Sequence, residues 1–175
     1  LFAAPQIDIR WHGGMLRLDQ TGRILGLYDA SGHNYVPAPS PFCSLHTASG
    51  RIYPRAARLS GRRLTFTFPG GGEMAFSVQP GQGFCLFKLV RLRAPAGEEI
   101  QRAVLCRLWV DGLEHVGTVM GSCWSGKYAI AVMGTRINVQ GRAYSLRRRG
   151  GNAEGVVHSF KQGKWINPLR YFGPL

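Results

Sequence analysis

Acidic side chains are scarce in this sequence of 175 residues, which has 9 Asp and Glu against 22 Lys and Arg. Cysteine is sparse too, and its four residues include no Cys-x-x-Cys pair, which excludes the usual spacing of zinc ligands. The uncharged apolar runs stop well short of the roughly 20 residues that a membrane-spanning helix requires. The sequence therefore predicts no metal site and no membrane span. It also predicts no cofactor, because no glycine cluster is followed by the Lys-Ser or Lys-Thr of a phosphate loop.

The apolar content of the chain is high enough for a packed core. Hydrophobic residues make up 45% of the sequence and charged residues 18%, which excludes general disorder. A domain of this length buries roughly 70% of its unfolded surface, so no covalent crosslink is needed for folding. The four cysteines stand among apolar neighbours and are predicted to be small buried hydrophobes, with a single disulfide left as an open alternative.

Alternating apolar residues between frequent glycines and prolines indicate an all-β chain. A hairpin is predicted over 62–79, with Leu64, Phe66 and Phe68 pointing inward from its first strand and Met74, Phe76 and Val78 pointing inward from its second strand. A second hairpin, over 15–28, turns at Asp19 to Gly22, and 29–41 is predicted to be an extended surface loop because it holds three prolines in five positions. Later strands are predicted at 84–93, 101–110, 113–120, 127–133, 136–140 and 143–148.

Three details of the later part of the chain bear on its organisation. Acidic residues at 98–99 are typical of the first turn of a helix, so a helix is the alternative for 98–110. The alternation of Val104, Cys106, Leu108 and Val110 favours a strand. Gly141 is expected to separate two strands. The pattern weakens from Asn152 onward, so we predict a β-sandwich domain over 1–150 and an extended C-terminal segment, or a linker towards a following domain, over 151–175.

The order of elements at 15–35 resembles the opening of a known domain family. A short strand, the turn Asp19 to Gly22, a second strand and the loop Asp29 to Tyr35 follow one another. This order is similar to that of the galactose-mutarotase-like supersandwich domain at the N-terminus of many polysaccharide-degrading enzymes. The resemblance extends more loosely to about residue 110. It implies an antiparallel two-sheet β-sandwich without catalytic residues, beside an adjoining glycoside hydrolase or lyase domain.

Carbohydrate is accordingly the expected partner, and the tryptophans are the expected contacts. An indole face stacks on the C–H face of a sugar ring while polar neighbours bind its hydroxyls. The residues predicted to bind carbohydrate lie in or near loops and are Trp11, Trp124 with Tyr128, and Trp165. Packing against the protein is the alternative role for each. Trp109 is expected in the core. The small residues of 1–6 resemble the end of a secretory signal, which predicts a secreted or periplasmic protein.

A formal net charge of +13 and a pI near 10.5 suggest a second function, binding of nucleic acid or an acidic polysaccharide. The cations are 18 Arg and 4 Lys. They stand singly along the strands except at Arg62-Arg63 and the three arginines 147–149. Nucleic acid is the less favoured partner, because a groove that follows phosphates would show more clustering with exposed aromatics.

A third hypothesis is a small carbohydrate-active enzyme. Asp111, Glu114 and His115 are the candidate acid and base groups, since glycoside cleavage usually needs two carboxylates. The competing interpretation of Asp111-Gly112 is a hairpin turn. The segment 122–126 contains Cys123 but no Gly-x-Ser-x-Gly elbow, and a buried Cys beside a packed Trp is the expected structure there.

Overall fold

A computed structural model of the chain describes residues 5–117, 122–132, 139–145 and 150–158. These residues form strands, turns and one short 3-10 turn at Pro69–Gly71, with no α-helix among them. The predicted all-β class is therefore confirmed. The strands, numbered in chain order, are β1 Ile7–Trp11, β2 Gly14–Leu18, β3 Arg23–Asp29, β4 Ser40–Pro41, β5 Ser44–Thr47, β6 Gly50–Ile52, β7 Ala56–Ser60, β8 Arg63–Thr67, β9 Glu73–Pro80, β10 Cys85–Arg93, β11 Arg102–Asp111, β12 His115–Gly117, β13 Ser122–Trp124, β14 Ala129–Ala131, β15 Val139–Ser145 and β16 Gly150–His158.

The chain divides into two compact units. Unit 1 contains the described residues up to Phe42 together with Ile52–Glu99, and unit 2 contains Cys43–Arg51 with the described residues from Ile100 onward. Unit 1 has two antiparallel sheets of four strands each, in the orders β1-β2-β3-β4 and β10-β9-β8-β7. These orders follow the chain because each strand pairs with the next, through short connections except for the loop 30–39 between β3 and β4.

The second sheet of unit 1 contains the hairpin that the alternation predicts. Strands β8 and β9 are antiparallel, with Leu64 opposite Phe76 and Phe66 opposite Met74. All four of these side chains are buried, at 0 to 1% exposure. The expected inward faces are thus confirmed, and the strand expected at 84–93 is present as β10.

Phenylalanine rings fill the core of unit 1. Phe42, which follows β4, stacks on Phe66 with ring centroids 5.3 Å apart. Phe76 meets Phe42, Phe66 and Phe87 edge to face at centroid distances of 6.1 to 6.2 Å. Edge-to-face and offset arrangements are those that aromatic quadrupoles favour. This cluster joins three strands of the second sheet to the residue that follows the last strand of the first sheet, and it gives the unit a sandwich-like core.

Two turns in the first sheet have the same construction. In the turn after β2, Oδ1 of Asp19 accepts hydrogen bonds from the Thr21 backbone N–H at 2.8 Å, the Thr21 hydroxyl at 2.7 Å and the Arg23 N–H at 2.9 Å. Gly22 supplies a φ of +80°. The carboxylate therefore accepts hydrogen bonds from backbone N–H groups that have no backbone acceptor where the chain reverses.

The turn after β3 repeats this construction ten residues later. Oδ1 of Asp29 accepts from the Ser31 N–H at 2.9 Å, the Ser31 hydroxyl at 2.6 Å and the His33 N–H at 3.0 Å. Gly32 has a φ of +84°. The Ser31 hydroxyl, first among several donors, lowers the pKa of Asp29 below its usual value. The residues on which the family resemblance rests are therefore turn-forming residues.

The loop at 29–41 differs from its prediction, because part of it is buried. Tyr35 and Val36 are only 8% and 7% exposed. The Tyr35 hydroxyl donates to Oδ2 of Asp29 at 3.0 Å, and Oδ1 of Asn34 accepts from the N–H groups of Leu27 and Val36 at 3.1 and 3.0 Å. The prolines keep the loop extended, but the Asn and Tyr side chains hold its middle against β3.

An ion pair between β1 and β2 makes unit 1 sensitive to acid. Asp8 accepts two hydrogen bonds from Arg17, at 2.7 and 2.9 Å, and one from Arg10 at 3.0 Å. The Arg17 hydrogen bonds are the main cause of a pKa below the usual value for Asp8. A lowered pKa means that the folded chain holds the proton less tightly than the unfolded chain. The resulting stability is complete above the ordinary Asp pKa and disappears as pH falls through the lowered one.

We expect Asp8→Asn to reduce the free energy of unfolding by about 1 kcal/mol at pH 6, the value for a partly exposed charge-assisted contact. The difference from the unmodified chain should close as pH falls below the ordinary Asp pKa. Urea unfolding of both proteins at several pH values measures it. A difference that stays constant down to pH 2 would contradict the assignment to this ion pair.

Unit 2 is built on a five-stranded sheet in the order β15-β16-β11-β5-β6, with a separate three-stranded sheet β12-β13-β14. The strand alternative for 98–110 is confirmed by β11. Two expectations are wrong. Gly141 does not separate two strands, because β15 runs through it, and the chain from 150 continues as strand β16 between β15 and β11. The remainder of the predicted C-terminal segment, 159–175, lies outside the described residues.

Candidate functional site

Trp109 lies on the exposed face of β11. It is 39% exposed, whereas its neighbours Leu108 and Val110 are 7% and 0% exposed. The prediction that Trp109 belongs to the core is therefore wrong. The physical reason is the alternation of the strand: once Leu108 and Val110 point inward, the residue between them points outward.

Polar residues lie on either side of Trp109. Arg107 and Asp111 are two positions away along β11, which places them on the same face, and both are half-buried. Across the ladder, Trp109 is in register with Asn152 of β16, and Asn152 is in register with Tyr144 of β15. One cross-strand row of the sheet thus contains a Trp, an Asn and a Tyr.

A second exposed indole lies in the three-stranded sheet of unit 2. Trp124 is 39% exposed, while Cys123 beside it is fully buried. The rings of Trp124 and His115 are opposite in register, with centroids 5.5 Å apart and planes inclined by 30°. Tyr128 lies in the turn after β13, where its carbonyl accepts from the Ser125 N–H at 2.8 Å. The structure thus places Trp124 and Tyr128 in one hairpin.

The other two predicted sugar contacts have different surroundings. Trp11 ends β1, and its half-buried ring occupies the space above Gly14, where a Cβ atom would stand only 2.7 Å from the indole. Trp11 therefore covers the backbone of the neighbouring strand. Trp165 lies outside the described residues.

The three candidate acid and base residues occupy a connection between two sheets. Asp111 ends β11, and its Oδ1 accepts from the Gly112 N–H at 2.7 Å. Glu114 and His115 are exposed. The chain turns at Gly112, with φ +77°, but β12 pairs with β13 instead of β11, so the expected hairpin turn at Asp111-Gly112 is wrong.

Burial makes three of the four thiols poor nucleophiles. All four cysteines are free. Burial raises the pKa of Cys43 and Cys123 and raises that of Cys85 to about 11. Since the thiolate is the reactive form, these three groups stay protonated near neutral pH. The expected burial of Cys123 is confirmed, but its neighbour Trp124 is exposed.

The described part of the chain contains no group of three or more His, Cys, Asp or Glu side chains arranged to hold a metal ion. None of its helical segments has the length and apolar character to cross a membrane. Comparisons with protein-family models, with curated proteins and with solved structures find no match to this chain.

Proposed function

We propose that the chain is a non-catalytic carbohydrate-binding module, and that its sugar-binding surface is centred on Trp109. The observation that carries this proposal is an indole exposed at an outward position of a paired strand. Tryptophan is enriched among the residues that carry binding energy at contact surfaces, because its large flat ring combines apolar area with a polar N–H group. The paired strands on which Trp109 stands hold its backbone in place.

The neighbours of Trp109 suit a sugar. A sugar ring offers an apolar C–H face and a rim of hydroxyl groups, which call for a flat ring with a few polar groups beside it. Arg107 provides donors and Asp111 retains a second carboxylate oxygen as an acceptor. In this proposal Asp111 binds a hydroxyl group and transfers no proton.

The assignment of the chain to a galactose-mutarotase-like fold is part of the same proposal. We infer a galactose-mutarotase-like domain beside a glycoside hydrolase or lyase domain from the order of elements at 15–35. The two aspartate turns support this order, since each Asp carboxylate accepts backbone hydrogen bonds in a turn at the place where the order has one. They support only the architecture, because the residues of both turns bond to their own backbone. The sugar-binding surface rests on unit 2 alone.

Titration with oligosaccharides tests the proposal. We expect Trp109→Ala to weaken binding by about 2 kcal/mol, or roughly 30-fold, which is typical for loss of an aromatic anchor. Isothermal calorimetry with neutral oligosaccharides of glucose, xylose, mannose and galactose measures the affinity. Tyr53→Ala is the matched control, because Tyr53 is an exposed aromatic of unit 1 at 42% exposure.

Two results would contradict the proposal. One is the absence of heat with every sugar of the panel at millimolar concentration. The other is an equal loss from Trp109→Ala and Tyr53→Ala. The same titration with Trp11→Ala, Trp124→Ala and Trp165→Ala shows which of the remaining predicted contacts take part.

A further inference from the structure

Five cations lie on one face of the second sheet of unit 1. In the register of β10, β9, β8 and β7, Lys88, Ser77, Arg63 and Ser60 form one row. The next row is Arg91, Ala75, Thr65 and Arg58, and the third is Arg93, Glu73, Thr67 and Ala56. In β8 and β9 these positions alternate with buried residues of the core, and the register continues the same face onto β7 and β10, with a β-bulge between Leu89 and Arg91 of β10. We call this face the basic face.

The basic face has a surplus of positive charge. Glu73 is its single carboxylate, and it lies 3.3 Å from Arg91 and 3.9 Å from both Arg63 and Arg93. One carboxylate offsets one positive charge. The charges of Arg58 and Lys88 and most of the combined charge of Arg63, Arg91 and Arg93 therefore remain without a counter-charge on this face. The Arg63, Arg91 and Arg93 side chains remain 50 to 54% exposed. Like charges on a common face repel one another, and a bound anion relieves that repulsion.

A shallow cavity lies at the edge of the basic face. It has a volume of about 320 Å³ and is lined by Arg58, Arg63, Ser60, Thr65 and Thr67 with Ala56 and Ala57. Arg58 and Arg63 are diagonal neighbours across the β7–β8 ladder, about 7–8 Å apart. Two guanidinium groups can bind a carboxylate or sulfate in a bidentate manner. The three hydroxyl groups can donate to or accept from sugar hydroxyls.

We propose that the basic face binds an acidic polysaccharide, with Arg58 and Arg63 holding its carboxylate or sulfate groups. This proposal relies on the proposed function only for the choice of carbohydrate as the ligand class. The charge complementarity is local to unit 1 and does not involve Trp109.

The residues of the basic face favour a polysaccharide over nucleic acid. Single-stranded nucleic acid is held by aromatic side chains on which its bases stack. The three rows, all within the described residues, contain no aromatic side chain but have Ser and Thr hydroxyls between the cations. Duplex DNA admits a helix or a two-stranded ribbon into its major groove, and a four-stranded sheet face is wider than that.

The test measures affinity for polygalacturonate, dextran sulfate and neutral dextran at several salt concentrations. For Arg58→Gln/Arg63→Gln in the full chain, we expect about a 10-fold loss of affinity for an acidic polymer. The slope of log affinity against log salt should fall by about two, one for each cation removed. Polygalacturonate and dextran sulfate distinguish carboxylate from sulfate recognition, and binding of either one supports the proposal.

Two further variants make the result specific. Arg10→Gln/Arg23→Gln removes two charges from the first sheet and should cause less than a threefold loss. Arg58→Lys/Arg63→Lys keeps the charge and should preserve the salt slope while weakening affinity, because lysine loses the bidentate geometry. If the Gln variant does not fold, as judged by circular dichroism, the Lys variant alone decides.

The proposal is overturned if neither acidic polymer binds, if both double Gln variants weaken binding equally, or if the Lys variant binds as tightly as the unmodified chain. Tighter binding of single-stranded DNA than of both polymers at equal salt also overturns it. Binding of neutral oligosaccharides should be unchanged in Arg58→Gln/Arg63→Gln. Loss of neutral binding in Trp109→Ala alone therefore reports on the proposed function, and loss of acidic binding in the Gln variant reports on the basic face.

Discussion

Replacing Gly22 with alanine should lower the free energy of unfolding by about 3 kcal/mol. About 1 kcal/mol comes from placing a Cβ atom on a residue with positive φ, which is +80° here. A further 1–3 kcal/mol, roughly, comes from overpacking, because the new Cβ would lie 2.8 Å from the Phe66 ring. Phe66 is fully buried, so its ring cannot move into solvent. Urea unfolding followed by circular dichroism measures the change.

Gly32 provides a matched control for this prediction. It occupies the equivalent position of the second aspartate turn, with φ +84°, and a Cβ added there would meet nothing within 4 Å. Gly32→Ala should therefore cost only the backbone part, about 1 kcal/mol. Equal losses in the two variants would mean that the turn after β2 does not press on the phenylalanine cluster.

Phe76→Ala should destabilise the chain by about 3–5 kcal/mol, the usual cost of removing a buried aromatic ring. Phe76 is 1% exposed and touches three other phenylalanine rings, so the cavity left behind is bounded by stiff groups that cannot collapse into it. Phe76→Leu keeps most of the volume and should cost about 1.5 kcal/mol or less. The midpoint of urea unfolding measures both.

Phe84→Ala is the control for Phe76→Ala. Phe84 belongs to the same unit but is 58% exposed. Its removal should change the free energy of unfolding by less than about 1 kcal/mol. If Phe84→Ala costs as much as Phe76→Ala, the ring cluster around Phe76 is not the core of unit 1.

The strands that the sequence predicts well are those whose signal is local. In β8 and β9 every second residue is apolar, and a glycine-rich turn joins them, so alternation alone gives the strand, its inward face and its partner. The aspartate turns are also local. Each needs only an Asp, a Ser or Thr two positions later and a Gly after that.

The strand that the sequence misses depends on distant residues. Over β16 the sequence is Gly-Gly-Asn-Ala-Glu-Gly before two valines, a composition with low strand propensity. It pairs with β11 from Asp111 opposite Gly150 to Arg102 opposite His158, and local sequence patterns carry no information on pairing between residues so far apart in the chain. Only the ladders to β11 and β15 on either side identify it as a strand.

The two candidate surfaces differ in how far they can be predicted from the sequence. The exposure of Trp109 follows from the alternation that places Leu108 and Val110 inward. The apolar character of tryptophan, taken alone, predicts a buried position instead. The basic face has no local signal, because its cations come from three strands, with Arg58 in β7, Arg63 in β8, and Lys88 and Arg91 in β10. Only the register brings them onto one face.

The indole N–H of Trp109 provides the most direct measurement. In a ¹H–¹⁵N correlation spectrum, the four tryptophans give four indole resonances, which Trp→Phe variants assign one by one. Addition of a neutral oligosaccharide that binds in calorimetry should shift the Trp109 resonance. The shift should level off with a dissociation constant equal to that measured by calorimetry. A Trp109 resonance that stays in place at saturating sugar would contradict the assignment of the binding surface to β11.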